Sequence, residues 1–309
     1  MRNVIEPGKT RKSINFFDNI VYSRQKDLEG NDLELKMSIM LQNGNSEKDL
    51  TIGCDDEDDR APKPAILYVP GGAYRGRDKN RMVAEVQFLA EAGFVVASMY
   101  YRSSSQGHFP DQIHDVKTAI RFLRANCEEY EIDPERIGVM GLSAGGHLAS
   151  LANMNEDGYD TAEWAGVSSK VRCCCDLFGP VDVPEMLRVE ERRMAEEPEN
   201  CPFKTVAESA GGALMGGPYN KDMIERAKLA SPPYRINERM GPILILHGDA
   251  DKLVPVEVSE DFYRKIVEAG YGERADLYIL HNAGHNTRDF FQPSTKELML
   301  KFFMDHLMR

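Results

Sequence analysis

Short, continuous apolar runs alternate with stretches of helical periodicity along most of this chain. Residues 14–24 and 33–41 read as two strands joined by the turn-rich segment Glu29-Gly30-Asn31-Asp32. The apolar run 65–69 reads as a buried strand that ends in Pro70-Gly71-Gly72. Helical periodicity follows over 80–94, closed by Gly93, and then a second buried strand, 95–101. A long amphipathic helix is expected over 111–130, because Ile113, Val116, Ile120 and Leu123 keep helical spacing. Strand 136–141, helix 146–154 and strand 171–179 come next. After a gap the alternation resumes with strand 242–248, helix 258–270, strand 275–281 and helix 296–308. Such alternation predicts an α/β fold: a mostly parallel, eight-stranded sheet with helices on both faces and an antiparallel edge made by the two opening strands.

Residues 182–240 interrupt the pattern. They are expected to form a lid-like or cap-like insertion over the strands' C-terminal ends, within a single domain spanning 1–309. No internal repeat or low-complexity segment breaks the chain further.

Composition narrows the picture. Of 309 residues, 42% are hydrophobic and 28% charged, an ordinary balance for a globular protein. The formal net charge of −12 disfavours nucleic acid as a partner. The acidic run 55–59 lacks the alternating ligands and turn glycine of a calcium loop, so it reads as a solvated loop. The N-terminus has no apolar segment of signal-peptide length, and no stretch has the length of a membrane span. A cytoplasmic location without a membrane partner is therefore expected, with a homo-oligomer left open. The six cysteines show no Cys-x-x-Cys spacing. Cys173, Cys174 and Cys175 would alternate across a strand, so structural thiols are expected.

The chemistry centres on Gly141-Leu142-Ser143-Ala144-Gly145, a G-x-S-x-G motif. A buried strand enters it and a helix leaves it, the setting of a nucleophile elbow. The serine needs a base, and the base needs an orienting acid, in the chain order serine, acid, histidine. Asp251, in the segment after strand 242–248, is the expected acid; Asp249 reads instead as a turn former. His285, in the loop after strand 275–281, is the expected base, and His281 is expected to be partly buried. An oxyanion is expected to meet the backbone N–H groups of Ala144, Gly72 and Ala73. His147 reads as a packing or hydrogen-bonding residue. The sequence holds no metal-binding pattern, dinucleotide fingerprint or Walker loop, and the chemistry needs no cofactor. Tyr74 is expected to wall the substrate pocket, with Met186, Leu187, Leu214 and Met215 of the insertion opposite.

Five segments, PGGAY, YRSSSQGHFPDQIHDVKTAIRFLRAN, DPERIGVMGLSAGGHLASL, LFGPVD and HGDADKLVP…AGHN, occur in one order. In that order they resemble esterases of the α/β-hydrolase superfamily. The closest likeness is to the branch of acetylxylan and feruloyl esterase-like enzymes near the hormone-sensitive-lipase group. The resemblance runs from about residue 60 to 309. It implies Ser143, Asp251 and His285 as a triad, and a small-molecule ester substrate with a short acyl group, such as acetylated xylo-oligosaccharides. Pro70 departs from the pattern, standing where such enzymes carry a histidine, so the oxyanion loop must be anchored differently. An amide hydrolase of the same fold, such as an arylformamidase, passes through the same tetrahedral oxyanion and remains the alternative. A non-catalytic relative would be expected to lack a triad member, and all three candidates are present.

Overall fold

In the computed structural model, which describes residues 3–5, 13–42, 61–76 and 78–309, the apolar runs become eight strands. They are β1 (Ile14–Lys26), β2 (Asp32–Gln42), β3 (Lys63–Val69), β4 (Val95–Met99), β5 (Ile132–Leu142), β6 (Cys174–Leu177), β7 (Ile243–Gly248) and β8 (Ala275–Leu280). The longer helices are α1 (Val83–Glu91), α2 (Asp111–Ala125), α3 (Ala144–Ala152), α4 (Val183–Glu196), α5 (Ala210–Met215), α6 (Lys221–Leu229), α7 (Glu257–Glu268) and α8 (Pro293–Leu307). The strands form one sheet in the order β1-β2-β4-β3-β5-β6-β7-β8. β1 pairs antiparallel with β2 and β2 with β4; every other pairing is parallel. This is the mostly parallel α/β architecture that the alternation implied.

The two faces of the sheet bury separate cores. Ile66, Tyr68, Met140 and Leu244 pack with Val86 and Leu89 of α1 and with Met299 and Phe303 of α8. Leu67, Val139 and Ile243 pack with α2, α3 and α7 through residues such as Ile120, Leu148 and Phe262. The three consecutive cysteines show the strand period of two. Cys174 joins the second core, while Cys173 and Cys175 join the first, and all three are free thiols.

Three boundaries differ from the sequence pattern. The helix expected over 111–130 stops at Ala125, where Asn126 caps the carbonyl of Phe122 through both its backbone and its side chain. The strand expected over 171–179 pairs only over Cys174–Leu177. The elbow helix begins at Ala144, directly after the serine. Between β6 and β7 the chain forms α4, α5 and α6. The acidic run 55–59 and Cys54 lie outside the described residues. Among the described residues no helix is long and apolar enough to cross a membrane.

Candidate active site

Ser143 occupies the turn between β5 and α3 with φ 53° and ψ −125°, a conformation that costs an L-residue about 1–3 kcal/mol. The turn is tight enough to dictate its neighbours. A Cβ on Gly141 would stand 2.2 Å from the Gly145 carbonyl oxygen, and one on Gly145 would stand 1.9 Å from that of Val69. Neither site accepts any residue but glycine. The Ser143 N–H donates to Leu177 of β6 at 2.8 Å, and the Ser143 carbonyl accepts from His147 at 3.1 Å. The serine is thus pinned between the sheet and the first turn of its helix.

His285 and Asp251 reach it from two other loops at the same sheet edge. His285 Nε2 lies 2.9 Å from Ser143 Oγ, and its Nδ1 lies 2.7 Å from Asp251 Oδ2. A carboxylate can only accept, so Nδ1 carries the proton and Nε2 is free to accept from the serine hydroxyl. The Phe178 ring meets His285 edge-on at 4.7 Å between centroids and Phe290 at 4.5 Å, which walls the imidazole on one side.

Asp251 is fully enclosed and fully partnered. Its Oδ1 accepts from the N–H groups of Leu253 at 2.8 Å and Val254 at 3.0 Å. Burial pushes its carboxyl up. Hydrogen bonds from His247, His285 and the backbone outweigh that and hold it well below the usual carboxylate range. His247 is itself completely buried. Its Nε2 lies 3.0 Å from the Val254 carbonyl and 3.4 Å from Asp251 Oδ2, and its Nδ1 lies 2.6 Å from Ser259 Oγ. Both neighbours of Nε2 are acceptors, so that nitrogen carries the proton. Asp249, the competing acid, is turned away. It accepts from Asn282 N–H at 2.6 Å and pairs with His281 Nδ1 at 2.8 Å. His281 was expected to be partly buried. Instead its side chain is 83% exposed, because the strand has ended and the ring leans onto Asp249 at the surface.

The loop after β3 supplies the remaining backbone groups. Gly72, Ala73 and Tyr74 all have positive φ, at 134°, 53° and 57°. The N–H groups of Ala73 and Ala144 have no acceptor among the described residues. The unusual Pro70 is anchored by its carbonyl, which accepts from the buried Tyr101 hydroxyl at 2.9 Å. The loop is further tied through Ser104 N–H to the Tyr74 carbonyl, at 2.6 Å.

A cleft of about 550 Å3, including solvent at its mouth, opens over Ser143, Ala73 and Ala144. Tyr74 and Met186 line it, as do Glu190, Arg193, Ala210 and Gly211 from the segment between β6 and β7. Leu187, Leu214 and Met215 do not. They are at most 1% exposed and belong to the core. On the short α5, Ala210 and Gly211 line the cleft, while Leu214 and Met215 pack in the core. Sequence reasoning also missed Tyr101, Phe178, His247 and Glu190. For Phe178 and His247 a signal existed, since each closes or follows a strand at the edge that holds Ser143.

The sheet order and the strand–serine–helix turn are those of the α/β-hydrolase fold. A BD-FAE family model matches residues 54–266, more than half of the chain, and the chain belongs to that family. Esterase LipC of Mycobacterium tuberculosis is 30% identical over 227 residues, which cover 72% of this chain and 53% of that protein. The probable carboxylic ester hydrolase LipM of the same organism is 28% identical over 64% of this chain and 44% of its own length. The chain thus spans about half the length of the curated relatives it matches. Among solved structures, a truncated carbohydrate esterase from gut microbiota superposes with a TM-score of 0.75 at 27% identity, covering 98% of this chain and 99% of that one. A bifunctional GH43-CE protein of Bacteroides eggerthii gives 0.75 at 28% identity, covering 94% of this chain and 35% of that one.

Proposed function

We propose that this chain is a serine carboxylesterase that hydrolyses short acyl esters, acetyl above all, of xylo-oligosaccharides or similar carbohydrates. The observation that carries it is the hydrogen-bonded line Asp251–His285–Ser143, at 2.7 and 2.9 Å, opening into a cleft beside Ala73 and Ala144. Ser143 Oγ attacks the ester carbonyl as its proton passes to His285 Nε2. The carbonyl oxygen becomes an oxyanion held by the N–H groups of Ala73 and Ala144 beside Gly72, each donor contributing about 3–4 kcal/mol. The C–O bond to the alcohol then breaks, and the alcohol leaves with the proton from His285. Water attacks the acyl-serine, gives its proton to His285, and releases the carboxylic acid and Ser143. Asp251 keeps the imidazole in the required tautomer throughout.

The substrate part rests on the likeness to a truncated carbohydrate esterase over 98% of this chain at 27% identity, beside that to part of a bifunctional GH43-CE protein at 28%. Residues 182–240 act as a cap on one domain spanning 1–309, since α4 and α5 contribute part of the cleft wall. Free thiols at Cys127, Cys173, Cys174 and Cys175 suit a reducing compartment such as the cytoplasm. The test is a fluorophosphonate probe followed by mass spectrometry, together with hydrolysis of p-nitrophenyl acetate and of an N-formyl aromatic amine. An adduct on Ser143 with faster turnover of the ester supports the reading. An adduct elsewhere, or preference for the amide, overturns it.

A further inference from the structure

The cleft face of α4 is one helical stripe. Val183, Met186, Glu190 and Arg193 follow each other at intervals of three, four and three residues, as one side of a helix requires. The stripe runs ~15 Å at the helical rise. Its first two side chains are apolar and its last two carry ionisable groups. Elsewhere the cleft wall is almost without polar side chains. Apart from Ser143 there is the Tyr74 hydroxyl, which is engaged with His147; the rest are aliphatic residues, proline and glycine. Glu190 and Arg193 are thus the ionisable side chains of an otherwise apolar cleft that also holds Ser143.

Glu190 is only 7% exposed. Ser209 Oγ donates to its Oε2, the Gly211 N–H approaches Oε1 at 3.5 Å, long for a hydrogen bond, and the Ala210 N–H also interacts with the carboxyl group. These contacts tether α5 to α4, and a neutral glutamine, with one acceptor oxygen, could keep part of that tether without the cost of burying a charge. Oε1 retains acceptor capacity. Arg193 donates to the carbonyl of Lys252, the residue after Asp251, and its other N–H groups have no acceptor among the described residues. An acceptor and a planar donor one helical turn apart, beside apolar walls, match a ring with neighbouring hydroxyl groups.

We propose that Glu190 and Arg193 are the specificity-determining pair for the alcohol half of the ester: Glu190 accepts a hydrogen bond from one hydroxyl of a polyol, and Arg193 donates to the oxygen beside it. The proposal rests on the serine-esterase reading of Ser143. It assigns the polar end of α4 to the substrate, and leaves the apolar end, Val183 and Met186, to the rest of the cleft.

The experiment compares kcat/KM on O-acetylated xylobiose with kcat/KM on p-nitrophenyl acetate, which has no hydroxyl. Glu190→Gln keeps one of the two acceptor oxygens and removes the charge, and the sugar-to-nitrophenyl ratio is expected to fall tenfold or more. Arg193→Gln, at a half-buried position, is expected to lower the ratio in the same direction and serves if Glu190→Gln does not fold. Ser209→Ala removes the tether together with the cap that Ser209 Oγ gives the Gly212 N–H at the start of α5, and is expected to leave the ratio within twofold of the parent. Ratios for the Glu190 and Arg193 variants that also stay within twofold overturn the pair's role. So does a loss confined to methyl 4-hydroxycinnamate relative to methyl cinnamate, which would put the recognised hydroxyl on the acyl side. A parent that hydrolyses neither ester and takes no phosphonate on Ser143 overturns the esterase reading and the pair with it.

Discussion

The Tyr74 hydroxyl donates to His147 Nδ1 at 2.8 Å, and the two rings meet edge-on at 90°. His147 Nε2 in turn donates to the Ala230 carbonyl at 2.5 Å, which forces Nδ1 to be the acceptor. One buried imidazole therefore joins the loop after β3, the helix behind Ser143, and the end of α6. The join has work to do, because Ala73 and Tyr74 are both held at positive φ, 53° and 57°, a cost of about 1–2 kcal/mol each.

Removing that join should release the loop. Tyr74→Phe keeps the ring and its packing but loses the hydroxyl. It leaves the Nδ1 acceptor of His147 buried and unpaired, which costs about 1–3 kcal/mol. If the Ala73 N–H stabilises the oxyanion, kcat on p-nitrophenyl acetate should fall about tenfold, with KM changing far less. A variant that loses stability in urea yet keeps the parent's kcat would show that the loop's shape does not depend on this bond.

The same histidine makes stability depend on pH. Burial pushes His147 down to about 4, from 6.5 for the free side chain, although its bond to Ala230 works the other way. Between those values the unfolded chain binds a proton that the folded chain refuses. Stability is therefore fully present above pH ~6.5 and lost as pH falls towards ~4. Over that window the parent should lose about 3 kcal/mol more than His147→Gln. Asp115 and Asp176, each pushed up to about 6 by burial, have the opposite sign and stabilise as pH falls through that value. They are common to both proteins and cancel in the difference. Urea unfolding at pH 7, 6, 5 and 4 measures it, and parallel profiles for the two proteins would refute the assignment.

Asp251 tests the orienting role. Its carboxyl is held well below the usual range, so it stays ionised across the working pH range and its own titration contributes no activity change there. Asp251→Asn presents an amide to His285 Nδ1 and permits the wrong tautomer. Activity should drop about 10³–10⁴-fold with the fold retained, as circular dichroism and phosphonate labelling rates would show. A loss of only a few-fold would point to another partner for His285.

The sheet and the serine–histidine–aspartate line were legible because their signals are local. Each strand is a continuous apolar run, and Gly141 and Gly145 are demanded by atoms that the turn itself brings close. Asp251 and His285 could be placed by which strand each follows. The partners that support them could not. Tyr101 holds Pro70 from 31 residues away, and His147 reaches Ala230 across 83. Such pairings leave no trace in spacing. The insertion was hardest, because an apolar residue reads the same whether it lines a cleft or seals a helix onto the body. Met186 and Leu214 look alike in sequence and both pack in the core, but only Met186 also lines the cleft.

That division yields the last prediction. Leu214 is completely buried, and its carbonyl accepts from the Phe109 N–H at 2.8 Å. Leu214→Ala should cost about 2–5 kcal/mol of stability through lost burial and a cavity. It should leave the order of preference among acetyl, butyryl and hexanoyl nitrophenyl esters unchanged, because the space it opens is not part of the cleft. Met186 lines the cleft and is 6% exposed, so Met186→Ala enlarges the space open to substrate. If that wall faces the acyl chain, preference should move towards the longer esters by about 1–3 kcal/mol per methylene accommodated, or 10–200-fold in kcat/KM. If it faces the alcohol, the nitrophenyl series should stay flat and bulkier acetylated alcohols should gain instead. Chain-length profiles of the two variants, read beside their urea midpoints, separate the two positions. A shift in acyl preference from Leu214→Ala without one from Met186→Ala would reverse the placement argued here.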